Sequence, residues 1–251
     1  MYPNLFGIDG FSMVVMIFLG VIVATALFFF CLYKNGVEKS SFLDLSIVII
    51  VTVGVGIIFG ILTENIYEAI KASINGLSPH WTWAMTFYGG LAGGVLAYLL
   101  MYRFYYLRHN PPVFKKMLVA APGCLAIGHA FGRLGCFLSG CCYGITTGTS
   151  LDINFPGIGP HLPTQLIEMT FLLILGGILL IFSLKKFTNY TAVIYLFAYS
   201  VFRFVIEFFR GDERGQLAGL SPSQYWCILL FLGAGVLLYF YKKKVFVNHE
   251  I

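Results

Sequence analysis

FSMVVMIFLGVIVATALFFFCLY, residues 11–33, holds no charged side chain. A bilayer core about 30 Å thick is crossed by roughly 20 helical residues, so this run is long enough to span one. It is also too long, with no basic residue ahead of it, for the apolar part of a secretory signal. Ala24-Thr25-Ala26 is therefore expected inside a retained helix. The same test applied outward along the chain finds six further runs, at residues 45–62, 83–102, 117–133, 163–184, 191–209 and 221–241. Pro122-Gly123 predicts a kink in the fourth, tolerated in a membrane helix whose neighbours satisfy the freed carbonyls. Ser221-Pro222 supplies an N-cap hydroxyl and a proline at the first helical position, which starts the last run.

Composition agrees. Of 251 residues, 59% are hydrophobic, 17% aromatic and only 11% charged, which excludes a soluble enzyme, a disordered chain and a nucleic-acid binder. The placement of the basic residues behind the net charge of +5 sets orientation, because Lys and Arg are retained on the cytoplasmic side of short loops. With the N-terminus outside, inner segments hold Lys34, Lys39, Arg103, Arg108, Lys115, Lys116, Lys185, Lys186, Lys242, Lys243 and Lys244, whereas outer segments hold only Lys71, Arg210 and Arg214. The expected fold is thus an all-α, polytopic integral membrane protein of seven transmembrane helices, N-terminus outside and C-terminus cytoplasmic. It forms one transmembrane domain over residues 1–251, with an extracytoplasmic Cys/Gly-rich loop at 136–162, a length at which loops tend to be functional.

Charge at helix depth costs about 2.5–3.5 kcal/mol on insertion scales, so each such group needs a partner or a task. Arg133, Glu168, Arg203 and Glu207 stand out. The alternating directions of the runs place all four toward the outer leaflet. Tyr88, His129, Tyr199 and Gln224 fall at the same level. His129 and Arg133 share a helix face, as do Tyr199, Arg203 and Glu207. One reading is a closed structural ion network; the other gives the planar arginine forks a phospholipid phosphate, with the glutamates orienting them. Gly89-Gly90 and Gly93-Gly94 repeat small residues at helix-packing spacing. Packing is expected for the second pair, whereas Gly89 and Gly90, beside Tyr88, equally leave backbone room for a head group.

The run Gly132-Arg133-Leu134-Gly135-Cys136-Phe137, followed by Gly140-Cys141-Cys142-Tyr143-Gly144, is the densest stretch of the chain. Facing an oxidising compartment, two of Cys136, Cys141 and Cys142 read as a disulfide. A nucleophilic or metal role is the weaker alternative, because the paired spacings of zinc sites are absent, and no metal is assigned. Cys31, Cys124 and Cys227 read as core residues.

Gly132-Arg133-Leu134-Gly135-x-Phe137, Pro163-Thr164-Gln165-Leu166-x-Glu168, Phe202-Arg203-x-x-x-Glu207-Phe208-Phe209-Arg210 and the Gly89-Gly90-Leu91 run resemble the prolipoprotein diacylglyceryl transferase family. The resemblance covers about residues 87–224. It implies an enzyme of the bacterial cytoplasmic membrane that moves diacylglyceryl from phosphatidylglycerol to the lipobox cysteine of an exported prolipoprotein, with no cofactor. By position, Arg133 and Arg203 would be the essential arginines, Tyr199 an active-site tyrosine, and Glu168 and Glu207 supporting carboxylates; Gln224, Gly89 and Gly90 join them as candidate substrate-binding residues. Three positions depart from the family pattern. Tyr88 stands at the family's histidine, and Cys136 and Cys141 replace an Asn and an acidic or amide residue. An unperturbed tyrosine, with a pKa near about 10, is a poor base, so His129, one turn from Arg133, is the substitute candidate. Three functions follow: this transfer, transfer to a different acceptor, and lipid binding without catalysis.

Overall fold

The computed structural model describes residues 4–5, 8–9, 11–74, 76, 78, 80–82, 87–101, 103–104, 111–211 and 219–243. Among them are seven α-helices: α1 (Phe11–Lys34), α2 (Phe42–Ile74), α3 (Phe87–Met101), α4 (Pro111–Leu138), α5 (Thr164–Leu184), α6 (Thr191–Ile206) and α7 (Pro222–Lys242). All except α3 contribute to six segments long and apolar enough to cross a membrane. The third expected run is seen as the 15 residues of α3, short of a full span; residues 83–86 and 102 lie outside those described.

The chain divides into two compact units, Val37–Phe114 and the remainder. In the first, α2 and α3 pack through small residues. A side chain at Gly56 would meet the Gly90 carbonyl at 2.9 Å, and those at Gly89 and Gly93 would run into Thr63 and Phe59. Helix α2 is far longer than the expected 45–62: its 33 residues reach about 50 Å at 1.5 Å each. Hydropathy stops at Glu64, but helix-favouring residues continue through Glu68 and Lys71. Asn65 then clasps the chain ahead of α3, accepting from the Thr82 N–H at 2.9 Å and donating to the Thr82 carbonyl at 2.9 Å.

In the other unit α4 is gripped from two sides. Gly20 of α1 lies against the Gly128 carbonyl, where an added Cβ would come within 2.7 Å, and Gly123 faces Leu180 of α5 at 2.9 Å. Small residues let these backbones approach, which is how helices pack where lipid removes the hydrophobic drive. Pro122 lies inside α4 and cannot bond the Leu118 carbonyl. The Thr191 hydroxyl, at the start of α6, donates toward the Leu118 and Val119 carbonyls at 3.3 and 2.9 Å, so a neighbouring helix supplies the missing partner. Between α5 and α6, Phe171 stacks on Phe202 at 3.9 Å.

Helix α4 runs past the expected end at Arg133 to Leu138, because its stop signal lies later. Gly140, with φ 70°, donates to Phe137 O while Cys141 N–H reaches back to Cys136 O at 3.1 Å. This is a Schellman cap with glycine at its left-handed position. The connection that follows contains a two-stranded ribbon, β1 (Ile153–Phe155) and β2 (Gly159–His161), turned through Pro156-Gly157. Residues 4–5 and 8–9 form a shorter antiparallel pair.

Candidate active site

Glu168 organises the polar centre. It lies one turn into α5, 1% exposed, and the start of that helix is fixed by its own side chains: Thr164 Oγ1 donates to the Cys142 carbonyl at 2.9 Å and Gln165 Nε2 to the Cys141 carbonyl. Arg133 of α4 brings Nε to 3.1 Å from Glu168 Oε1, and Arg203 of α6 brings Nη1 to 3.5 Å from Oε2. The two guanidinium groups therefore meet on one carboxylate, an oxygen each. Tyr199 donates its hydroxyl proton to Oε1 at 3.0 Å, and His129 Nε2 lies 4.0 Å from the same oxygen. The His129 ring meets Tyr199 edge-on, with centroids 5.3 Å apart. Ala126, Ala130 and Leu172 form the apolar bed under this group, with Met169, Phe171, Tyr195 and Tyr199 packed on it.

A second carboxylate closes on Arg203 alone. Glu207, one turn later, places Oε2 2.6 Å from Arg203 Nη2, and Ser223 Oγ accepts from the same nitrogen at 3.4 Å. Ser221 donates to Glu207 Oε1 at 2.9 Å while accepting from Gln224 N at 3.3 Å; Gln224 Oε1 in turn accepts from the Ser221 N–H at 2.9 Å. That capping box ties the start of α7 to the Arg203 pair. Ser221 and Ser223 also join the charged group, which the sequence reading missed. Ser221-Pro222 is legible as a helix start, but nothing in it tells which carboxylate the hydroxyl meets.

Of the sequence-derived residues, His129, Arg133, Glu168, Tyr199, Arg203 and Glu207 converge, and Gln224 reaches the group through Ser221. Gly89 and Gly90 are engaged in α2–α3 packing, and the Tyr88 side chain lies outside the described residues. The expected disulfide is corrected: no disulfide joins Cys136, Cys141 and Cys142. Their sulfurs all lie within 4.8 Å of one another, brought together by the Schellman turn and the left-handed Cys142 (φ 66°).

The loop bearing these thiols is locked beside the charged centre. Gly144 N–H donates to Leu162 O at 2.8 Å, and Ile145 N–H to Phe209 O at 2.9 Å. Gly144 tolerates no side chain, since a Cβ would fall 2.6 Å from Phe209 O and 2.8 Å from Thr164 Cγ2.

The prolipoprotein diacylglyceryl transferase family model matches residues 5–241. A phosphatidylglycerol–prolipoprotein diacylglyceryl transferase 2 of Clostridium perfringens is 33% identical over 249 residues, covering 96% of this chain and 94% of its own length. A phosphatidylglycerol–prolipoprotein diacylglyceryl transferase of Clostridium tetani is 32% identical, covering 88% of this chain and 89% of its own; one from Finegoldia magna is 27% identical over 98% and 97%. With motif order, helix placement and nearly full-length similarity in agreement, the chain belongs to the prolipoprotein diacylglyceryl transferase family.

Proposed function

We propose that the protein transfers a diacylglyceryl group from phosphatidylglycerol to the lipobox cysteine thiol of an exported prolipoprotein. It does so as a seven-span protein of the bacterial cytoplasmic membrane, N-terminus outside, with residues 136–162 on the outer face of a single transmembrane domain. The observation that carries this reading is the unequal engagement of two arginines that share Glu168. Arg203 is held by Glu168, Glu207 and Ser223. Arg133 has only its Nε committed, and neither Nη makes a hydrogen bond among the described residues.

In this mechanism the Nη fork of Arg133 takes the donor phosphate. The acceptor thiol loses its proton to His129, and the thiolate attacks the glyceryl carbon. A C–S bond forms as the C–O bond to phosphate breaks, and glycerol phosphate leaves with the electron pair. Negative charge grows on that phosphate, where a preorganised guanidinium lowers the barrier. Glu168 aims Arg133, Tyr199 holds Glu168, and Arg203 with Glu207 keeps Glu168 in place. Gln224 acts through Ser221, while Tyr88, Gly89 and Gly90 are assigned to the lipid side.

A second reading keeps the donor half and changes the acceptor. It is favoured by Cys136 and Cys141, which stand at two positions where the family carries polar residues and lie next to Arg133 on the same helix end. Complementation of a bacterial strain depleted of its own diacylglyceryl transferase separates the two. Rescue that is lost with Arg133→Ala supports prolipoprotein as acceptor. Failure of the unaltered chain to rescue, with phosphatidylglycerol still consumed in its membranes, supports another acceptor. Failure without consumption removes the transferase reading.

A further inference from the structure

We propose that Cys136, Cys141 and Cys142 form a three-thiolate binding site for a soft monovalent cation of the Cu(I) or Ag(I) class. This assignment is independent of the transferase reading.

The fold builds the cluster. In a Schellman cap the third residue from the helix end and the second residue beyond it are brought side by side. Here those residues are Cys136 and Cys141, joined by the hydrogen bond from Cys141 N–H to Cys136 O. Cys142 then turns back in the left-handed region, φ 66°, which a residue carrying a Cβ rarely adopts. The Cys142 carbonyl is pinned by Thr164 and the Cys141 carbonyl by Gln165, so both cysteines are fixed from outside the turn.

Three points no more than 4.8 Å apart have a common centre within about 2.8 Å of each. Metal–thiolate bonds are about 2.3 Å for zinc, so movement of roughly half an ångström closes the site around an ion. The donor set selects the class. Soft thiolates favour Cu(I)-like ions, whereas structural zinc takes four ligands, and among the described residues this group contains no His, Asp or Glu to serve as the fourth. Charge agrees with a monovalent ion: three thiolates around it leave two negative charges, and two arginines adjoin the cluster. Arg133 lies one turn before Cys136 on α4, and the Arg210 charge acts on Cys142.

The test uses the full chain, purified in detergent under reducing, metal-free conditions and titrated with Ag(I). Bound silver after desalting and the ultraviolet sulfur-to-metal absorption are read against the Cys136→Ser/Cys141→Ser/Cys142→Ser variant. The wild type is expected to retain one more equivalent than the triple variant, and Cys142→Ser alone is expected to weaken that site by on the order of tenfold or more. Equal silver in the two proteins overturns the proposal. Stronger retention of Zn(II) than Ag(I) in a parallel titration overturns the assigned class, and a Cys136–Cys141 crosslink in the protein as isolated, found by non-reducing mass spectrometry, overturns the site. Should the triple variant not fold, alkylation of Cys142 in the wild type gives the answer. Silver is expected to slow it, and an unchanged rate contradicts the proposal.

Discussion

Arg203 and Arg133 meet the same carboxylate from different helices, yet their surroundings differ in kind. The Arg203 side chain is 7% exposed and is neutralised by Glu168 and Glu207, the latter secured by Ser221. The Arg133 side chain is 15% exposed and borrows one oxygen of Glu168 through Nε alone. On the proposed mechanism, two buried arginines that read alike in the sequence divide between holding the site and offering a fork to a ligand. In a membrane interior this division makes physical sense: a guanidinium used for binding must be aimed by a carboxylate without being consumed by it, and a second arginine keeps that carboxylate ionised and in place.

Removing Arg203 should have the largest effect. Arg203→Ala leaves Glu207 as an uncompensated buried charge and Glu168 with Arg133 alone, a loss of about 3–5 kcal/mol. It should appear as a lower unfolding temperature in detergent together with lost turnover. Arg133→Ala should leave the unfolding temperature close to wild type while turnover falls on the order of 100- to 1,000-fold, the usual cost of deleting a donor aimed at developing charge. If the two variants lose the same stability, the division of labour is wrong.

Ser221→Ala probes the Arg203 side without touching a charge. It removes the α7 cap and a hydroxyl bonded to Glu207, and should lower stability by about 1–2 kcal/mol with a smaller loss of turnover than Arg133→Ala. The weakest effect is expected at Asp152, away from both arginines. Its carboxylate accepts from the Thr147 N–H at 2.9 Å, the Gly148 N–H at 2.8 Å and the Thr147 hydroxyl at 2.8 Å. Desolvation pushes this carboxyl up, but those hydrogen bonds outweigh it and hold it below the usual range. A depressed folded value means the loop's stabilisation is present above the ordinary carboxylate pKa of about 4 and is lost as pH falls through the lowered one. Amide exchange at Thr147 and Gly148 should accelerate over that acid range, and Asp152→Asn should largely abolish the pH dependence with transfer activity unchanged.

Most of the helices and the grouping of the charged residues are legible from hydropathy, since an apolar run has few alternatives in lipid and a charge within it is conspicuous. Periodicity also pairs His129 with Arg133 and Tyr199 with Arg203. The end of α2 escapes because helix propensity outlasts hydropathy beyond Glu64, and the end of α4 because its stop is the left-handed Gly140 rather than the charge at Arg133. The ribbon at residues 153–161 escapes because its two strands are three residues each, too short for a period-two pattern. The inequality of the arginines depends on which oxygen each nitrogen meets and on a serine from the last helix, and no spacing rule encodes either. The three thiols are close because a helix cap folds back on itself, so they were visible as a motif and not as a cluster.

The central claim, that Arg133 rather than Arg203 offers the free fork to the donor phosphate, is tested most directly by lipid-induced stabilisation. Unfolding of the wild type and of Arg133→Ala is followed in detergent with increasing phosphatidylglycerol. A ligand that binds only the folded state at a hundredfold its Kd adds about 2.7 kcal/mol, so the wild-type unfolding temperature should climb with lipid while that of Arg133→Ala stays nearly flat from a similar lipid-free value. An equal climb in both proteins would contradict the account.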